Sequence, residues 1–288
     1  MNFGIAFAGG GLKGIAYIGV IKAFNELGIN AQYISGTSSG SIFGMFYALG
    51  LSVENMEEII LGNYKQLIKV KKAPTIKALI TYLTTGKTRI EGLIDGENIE
   101  KLISKMKDKD IIKINNMNEI EKNVGIVTVD TISAKEGIFL SKKIKNANKN
   151  NKYIYNAPIG KAIRASIAFP GIFTPCNYGK YNFIDGGTID VLPVQVLKDM
   201  GAKKTLALSF RMDDYKPSSD IFSTLLRAID IFSSKDVNNS KTLADLNIEI
   251  DIKEAKLFTI ENIEKSIKIG YDIIMKNKAK ILDLYKYS

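Results

Sequence analysis

The chain has 288 residues, 45% of them hydrophobic and 9% aromatic, enough to bury a sizeable core, which sets intrinsic disorder aside. It has no histidine and one cysteine, Cys176, which excludes a Ser-His-Asp triad and an internal disulfide and argues against a structural zinc or any other metal site. The net charge of +10 is unevenly spread: residues 61–90 hold seven Lys/Arg and residues 137–184 hold eight, with no Asp or Glu in either, so the remainder carries −5.

The first run, NFGIAFA, reads as a strand. It lacks a basic leader and ends in three glycines, so no signal peptide is expected. No stretch approaches the about eighteen uninterrupted apolar residues that a membrane span needs. A cytoplasmic protein is expected, with peripheral contact between its basic segments and an anionic membrane surface. A solvated lysine-rich face is the other reading of those segments, and no nucleic-acid motif accompanies them. GGGLKG is a loop, and LKGIAYIGVIKAFNEL has helical spacing that stops at Gly28. AQYIS is a second strand, GTSSG a turn and SIFGMFYALGL an apolar helix. This β-α-β-α order is the signature of a parallel sheet with crossover helices.

Residues 52–120 read as mostly helical, with VENMEEIILGNY, TIKALITYLTTG and GENIEKLISKM as helices and EGLIDGEN as a turn. The basic, amphipathic part over 52–90 is a candidate lid or interfacial surface; a core-packing helix fits equally. NVGIVTVDTIS and KEGIFLS form a strand pair, IKNANKNNKY an exposed loop, and IGKAIRASIA a helix stopped by Pro170-Gly171. KYNFIDGG is a strand and turn, and KKTLALSF a further strand. Past residue 211 the helices IFSTLLRAIDIFSS and IENIEKSIKIGYDIIMKNKAKIL flank a short alternating run, LNIEIDI. No repeat or linker interrupts the chain. The expected organisation is a catalytic domain over 1–210 with the helical insert at about 52–120, and a helical C-terminal flank over 211–288 packed on the same domain.

Three motifs carry chemistry. Gly9, Gly11 and Gly14 match the G-x-G-x-x-G dinucleotide spacing between a strand and a helix, but the second strand ends in Ser35-Gly36-Thr37 with no acid to hold a ribose. Backbone amides at a helix N-terminus suit an oxyanion better; a ligand-free tight turn is the plainer reading. Gly36-x-Ser38-x-Gly40 has the spacing of a nucleophile elbow, with Ser38 as the nucleophile and Ser35, Ser39 and Ser41 as turn and capping residues. Both loops follow the carboxyl ends of adjacent strands and so converge on one crevice. Without histidine, the next candidate base is Asp185, where Gly186 and Gly187 permit a tight turn; a simple Asp-Gly turn competes with that role. An unperturbed aspartate, with a pKa of roughly 3.9, is ionised at neutral pH and a weak base. Lys13, in the glycine loop, is an anion-binding candidate.

GGGLKG, then GTSSGS, then DGG about 150 residues later resemble the patatin-like phospholipase family in motif, order and spacing. IRASIAFPGIFTPCNY before FIDGG, VTVDTISAKEGIF and the C-terminal IEKSIKIGYDII are similar to that family too. The resemblance implies a three-layer α/β/α fold around a mainly parallel sheet. It implies a Ser38–Asp185 dyad, with an oxyanion hole at Gly9, Gly10 and Gly11. It further implies hydrolysis of phospholipid or related lipid esters through an acyl-enzyme, without cofactor or metal. One departure is Asp190, which stands where the family usually has Asn. The alternatives are a soluble small-ester esterase or thioesterase, a nucleotide-binding oxidoreductase using the glycine loop, and a non-catalytic lipid-binding module.

Overall fold

In a computed structural model the described residues are 2–67, 84–85, 92–144, 147–212, 221–252 and 260–288. Strand β1 (Phe3–Phe7) leads through the glycine loop and a short 3₁₀ turn (Gly11–Ile15) into helix α1 (Ala16–Glu26). Strand β2 (Tyr33–Thr37) then leads into helix α2 (Ser39–Ala48). The sequence puts the end of the first helix at Gly28, and the chain turns there: Gly28 has φ +66° and Ile29 N–H returns to the Phe24 carbonyl at 2.9 Å.

Helix α3 (Val53–Leu67), the short strand β3 (Gly92–Ile94) and helix α4 (Glu97–Asp108) follow. The run TIKALITYLTTG apart from Thr84 and Thr85, and with it most of the candidate lid, lies outside the described residues. The stretch EGLIDGEN is not a plain turn, because its Gly92–Ile94 pairs in parallel with strand β7 (Gly171–Phe173). Strands β4 (Asn123–Asp130) and β5 (Lys135–Leu140) are antiparallel, as the sequence suggests, and the Asn/Lys-rich stretch is only partly loop: it ends in strand β6 (Lys152–Ile154) beside β5. Helix α5 (Ile159–Ser166), strands β8 (Cys176–Tyr178) and β9 (Tyr181–Asp185), helix α6 (Val194–Met200) and strand β10 (Lys204–Phe210) come next. The chain closes with helix α7 (Ile221–Leu243), strand β11 (Leu246–Ile250), and helices α8 (Ile260–Lys276) and α9 (Lys278–Lys286).

The central sheet runs β11-β10-β1-β2-β4-β5-β6, and β9 also pairs with β4. From β11 to β4 every neighbour is parallel. Alternation along β1 decides what covers each face. Phe3, Ile5 and Phe7 enter the large core with α1 and α2, whereas Ala6 and Ala8 enter a smaller one with Leu192, Val194 and Leu197 of α6 and its approach. Small side chains on that second face let α6 lie close. The result is a mainly parallel sheet with helices on both sides, as expected from the sequence.

The chain past residue 211 does more than flank the sheet. The alternating run is β11, which adds an edge strand parallel to β10 with Ile248 and Ile250 buried. Helix α8 packs on α1 so closely that a Cβ at Gly19 would sit 1.8 Å from the Ile267 carbonyl oxygen, and one at Gly270 would sit 1.9 Å from that of Ala16. Among the described residues no helix is long and apolar enough to cross a membrane.

Candidate active site

The register around β4 builds the site. Strand β2 runs up one edge of β4 and stops at Thr37, opposite Val127. Strand β9 runs down that same edge, since β5 occupies the other, and stops at Asp185, opposite Thr128. The two strands therefore point at each other across one step of β4. Ser38 is the first residue beyond one strand, and Asp185 is the last residue of the other.

Ser38 has φ 54° and ψ −126°, a conformation that L side chains rarely adopt and the strained turn the G-x-S-x-G spacing predicts. A Cβ at Gly40 would lie 2.1 Å from the Phe7 carbonyl oxygen, and one at Gly36 would lie 2.5 Å from that of Gly40, so this turn closes only with glycine at both places. Three hydrogen bonds through two hydroxyls then hold it. Ser38 N–H donates to Ser166 Oγ at 2.9 Å, Ser166 Oγ donates to the Val127 carbonyl at 2.6 Å, and Ser41 Oγ donates to the Ser38 carbonyl at 2.6 Å. Fully buried Ser166, at the end of α5, thus ties the elbow to β4.

Asp185 is fully buried. Its Oδ1 accepts from the Gly187 amide at 2.8 Å, and its own amide donates to the Ala168 carbonyl at 3.0 Å. Burial pushes its carboxyl up to about 7, against the weaker opposing pull of the Gly187 amide and then of the Ser38 side chain. The unperturbed aspartate assumed from sequence is corrected here: desolvation makes it a group half-ionised near neutral pH, where a general base works best. Its Oδ2 is buried without a completed hydrogen bond, so the approach of Ser38 is a contact ready to close. The turn after it crosses β4 tightly, because a Cβ at Gly186 would lie 2.5 Å from the Val127 carbonyl oxygen.

The glycine loop sits beside this pair, and the space where a Cβ on Gly9 would lie is 3.2 Å from Ser38 Cβ. Its amides are not equally available. Gly9 N–H donates to the Val191 carbonyl at 2.9 Å, so the single proton of this oxyanion candidate is engaged in this conformation. Gly10 N–H donates to Ser39 Oγ at 3.1 Å, a side chain that can turn away. Gly11, with φ +55°, and Leu12 open the 3₁₀ turn, where first-turn amides have no partner within the helix. Lys13 Nζ donates to the Arg211 carbonyl at 2.9 Å, so the anion-binding candidate also fastens the loop to the chain beyond β10.

Sequence reasoning missed the pins between loops. Ser35 Oγ donates to the Pro193 carbonyl at 2.7 Å and Thr37 Oγ1 to that of Asp190 at 2.9 Å, fixing the chain after Asp185 onto β2. Ser35 and Ser39 are therefore cross-links and not local turn caps, while Ser41 does serve the first turn of α2. No local spacing announces such a bond, because its two ends lie more than a hundred residues apart in Ser35–Pro193, Thr37–Asp190 and Ser38–Ser166.

The profile of the family described as "Patatin-like phospholipase" matches residues 5–198. Lysophospholipase NTE1 of Meyerozyma guilliermondii is 27% identical over 218 residues, covering 74% of this chain and 13% of the relative. An uncharacterized NTE family protein of Mycobacterium bovis is 26% identical over 218 residues, covering 75% of this chain and 51% of the relative. The chain thus spans an eighth to a half of these relatives' lengths. VipD from Legionella pneumophila shares the fold, with a TM-score of 0.52 at 13% identity over 99% of this chain and 66% of VipD. With two thirds of its length matched from the first strand through α6, the chain belongs to the patatin-like phospholipase family.

Proposed function

We propose that the chain is a lipid acyl hydrolase that cleaves carboxylic esters of phospholipids or lysophospholipids through Ser38 and Asp185. One observation carries this reading: a serine in a strained elbow and a buried carboxyl, with no histidine in the chain, meet end to end on β4. Ser38 Oγ attacks the ester carbonyl carbon and its proton passes to Asp185. The oxyanion is held by the amides of Gly10, Gly11 and Leu12, each donor being worth roughly 3–4 kcal/mol in such a role. Collapse of the tetrahedral intermediate breaks the C–O bond, and Asp185 returns the proton to the leaving alcohol. Water then attacks the acyl-Ser38 ester, gives a proton to Asp185, and the fatty acid leaves as that proton returns to Ser38.

Contact with a membrane surface is supported by three exposed apolar residues: Ile132 at 71%, Ile189 at 44% and Met212 at 44%. They follow β4, the Asp185 turn and β10, at the end of the sheet where Ser38 emerges. The test of the chemistry is labelling by a fluorophosphonate probe together with release of fatty acid from lysophospholipid. Both are expected in the wild type and absent in Ser38→Ala; labelling that survives in Ser38→Ala rejects the nucleophile.

A further inference from the structure

Beside the dyad lies a second pair of carboxyls that the reaction does not use. Glu136 stands on β5 opposite Val129, and Asp190 follows the helical turn after Asp185. The two carboxyls lie within hydrogen-bonding reach of each other. Glu136 Oε2 accepts from Asn151 Nδ2 at 2.7 Å, and the Leu192 amide is directed at the Asp190 carboxyl. That leaves Glu136 Oε1 and Asp190 Oδ1 buried with no donor. Two half-buried carboxylates at that range, each with an oxygen shut off from water, cannot both stay ionised. The other charges acting on the pair are acidic too: Asp199 of α6 on Glu136, and Asp236 of α7 on both. Tyr153 of β6 completes the surroundings. Nor, among those residues, do three or more Asp, Glu, Cys or His gather in a way that could hold a metal ion. One shared proton satisfies both orphaned oxygens.

The main chain of Asp190 links this pair to the site. Asp190 N–H donates to the Gly186 carbonyl at 2.9 Å, and the Asp190 carbonyl accepts from Thr37 Oγ1 at 2.9 Å. Gly186 follows the proposed base, and Thr37 precedes the proposed nucleophile. We propose that Asp190 is a positioning residue: the proton it shares with Glu136 anchors its side chain, and through its backbone it holds the Asp185 turn against the Ser38 elbow. The inference rests on the Ser38–Asp185 reading for its effect on rate, but not for the shared proton itself.

Burial and the neighbouring acids raise both carboxyls, Glu136 to about 7 and Asp190 well above the ordinary carboxylate range, so the pair still holds a proton at neutral pH. The test compares the full-length wild type with Glu136→Gln and Glu136→Ala, reading kcat and KM on a monomeric ester across pH, and melting temperature in parallel. In Glu136→Gln an amide hydrogen replaces the proton permanently. Its alkaline fall in kcat should move upward by at least about one pH unit, and the pH dependence of its stability between about 5 and 7 should shrink by about one proton. Glu136→Ala should lose kcat by about tenfold with KM within about twofold, the signature of lost positioning. An alkaline limb in Glu136→Gln that coincides with wild type overturns the proposal, as does a full kcat in Glu136→Ala. Should the melting profile shift while the kcat profile does not, the pair is structural only and the positioning role falls. Should no form of the protein hydrolyse any ester, the hydrolase reading fails by itself, and the melting profiles alone decide whether the proton is shared.

Discussion

Ser38 and Asp185 are each held in a state that the folded chain would relax if it could, which makes both testable by stability as well as by rate. With φ 54°, Ser38 occupies backbone space that glycine enters freely. Ser38→Gly should therefore raise the unfolding free energy by about 1 kcal/mol, Ser38→Ala should not, and both should lose probe labelling. Thermal and denaturant melts of the two variants check the contrast. For Asp185 the folded pKa of about 7 lies above the ordinary carboxylate value, so the folded state holds a proton that the unfolded state has released. Stability from this group is then complete below about pH 4, falls as pH rises, and levels off beyond about pH 7. Hydrolysis runs the opposite way and should climb through about pH 7 as the carboxylate forms. Asp185→Asn should flatten that part of the stability profile, melt higher than wild type at about pH 8, and lower hydrolysis by about two decades or more. The tight turns at Ser38 and Asp185 were readable from glycine spacing; the raised carboxyl was not, because desolvation is a property of what packs around a residue.

Among the elements, legibility followed length and periodicity. Strand β1, helix α1, strand β2 and helix α2 each carry a full period of their pattern with a glycine stop, and all four were visible in order. Strands β3, β7 and β8 have three residues each, too few to alternate, and their pairing is set by distant partners. The partnership of α1 with α8 was equally hidden, although a glycine in each helix hinted at close approach. That contact makes a prediction whose sign local propensity gets wrong. Alanine is preferred over glycine inside a helix by about 1 kcal/mol, so Gly270→Ala should stabilise if α8 were solvated. Because its Cβ would meet the Ala16 carbonyl oxygen at 1.9 Å, the variant should instead melt well below wild type, with the loss carried by the α1–α8 interface. A melting temperature at or above wild type would show that the two helices can part without cost.

Over the whole molecule, the chain beyond residue 211 cannot be treated as an accessory, since it supplies β11 to the sheet and α8 to the main core. Charge and exposure are also arranged at this scale. The proposed contact with a lipid surface requires that the apolar residues at the open end of the sheet reach it. Ile132→Ser combined with Met212→Ser should reduce hydrolysis of anionic phospholipid vesicles by about tenfold while leaving a monomeric ester within about twofold, read in paired assays. Equal losses on both substrates would assign these side chains to folding. The meeting of β2 and β9 on β4 has one more result. Because side chains along a strand alternate faces at about 3.3 Å per residue, adding or deleting a single position between Val127 and Thr128 would turn the acid away from the alcohol and slide it a full rung. Along this one strand, descendants of the sequence are free to change letters but not to change their count.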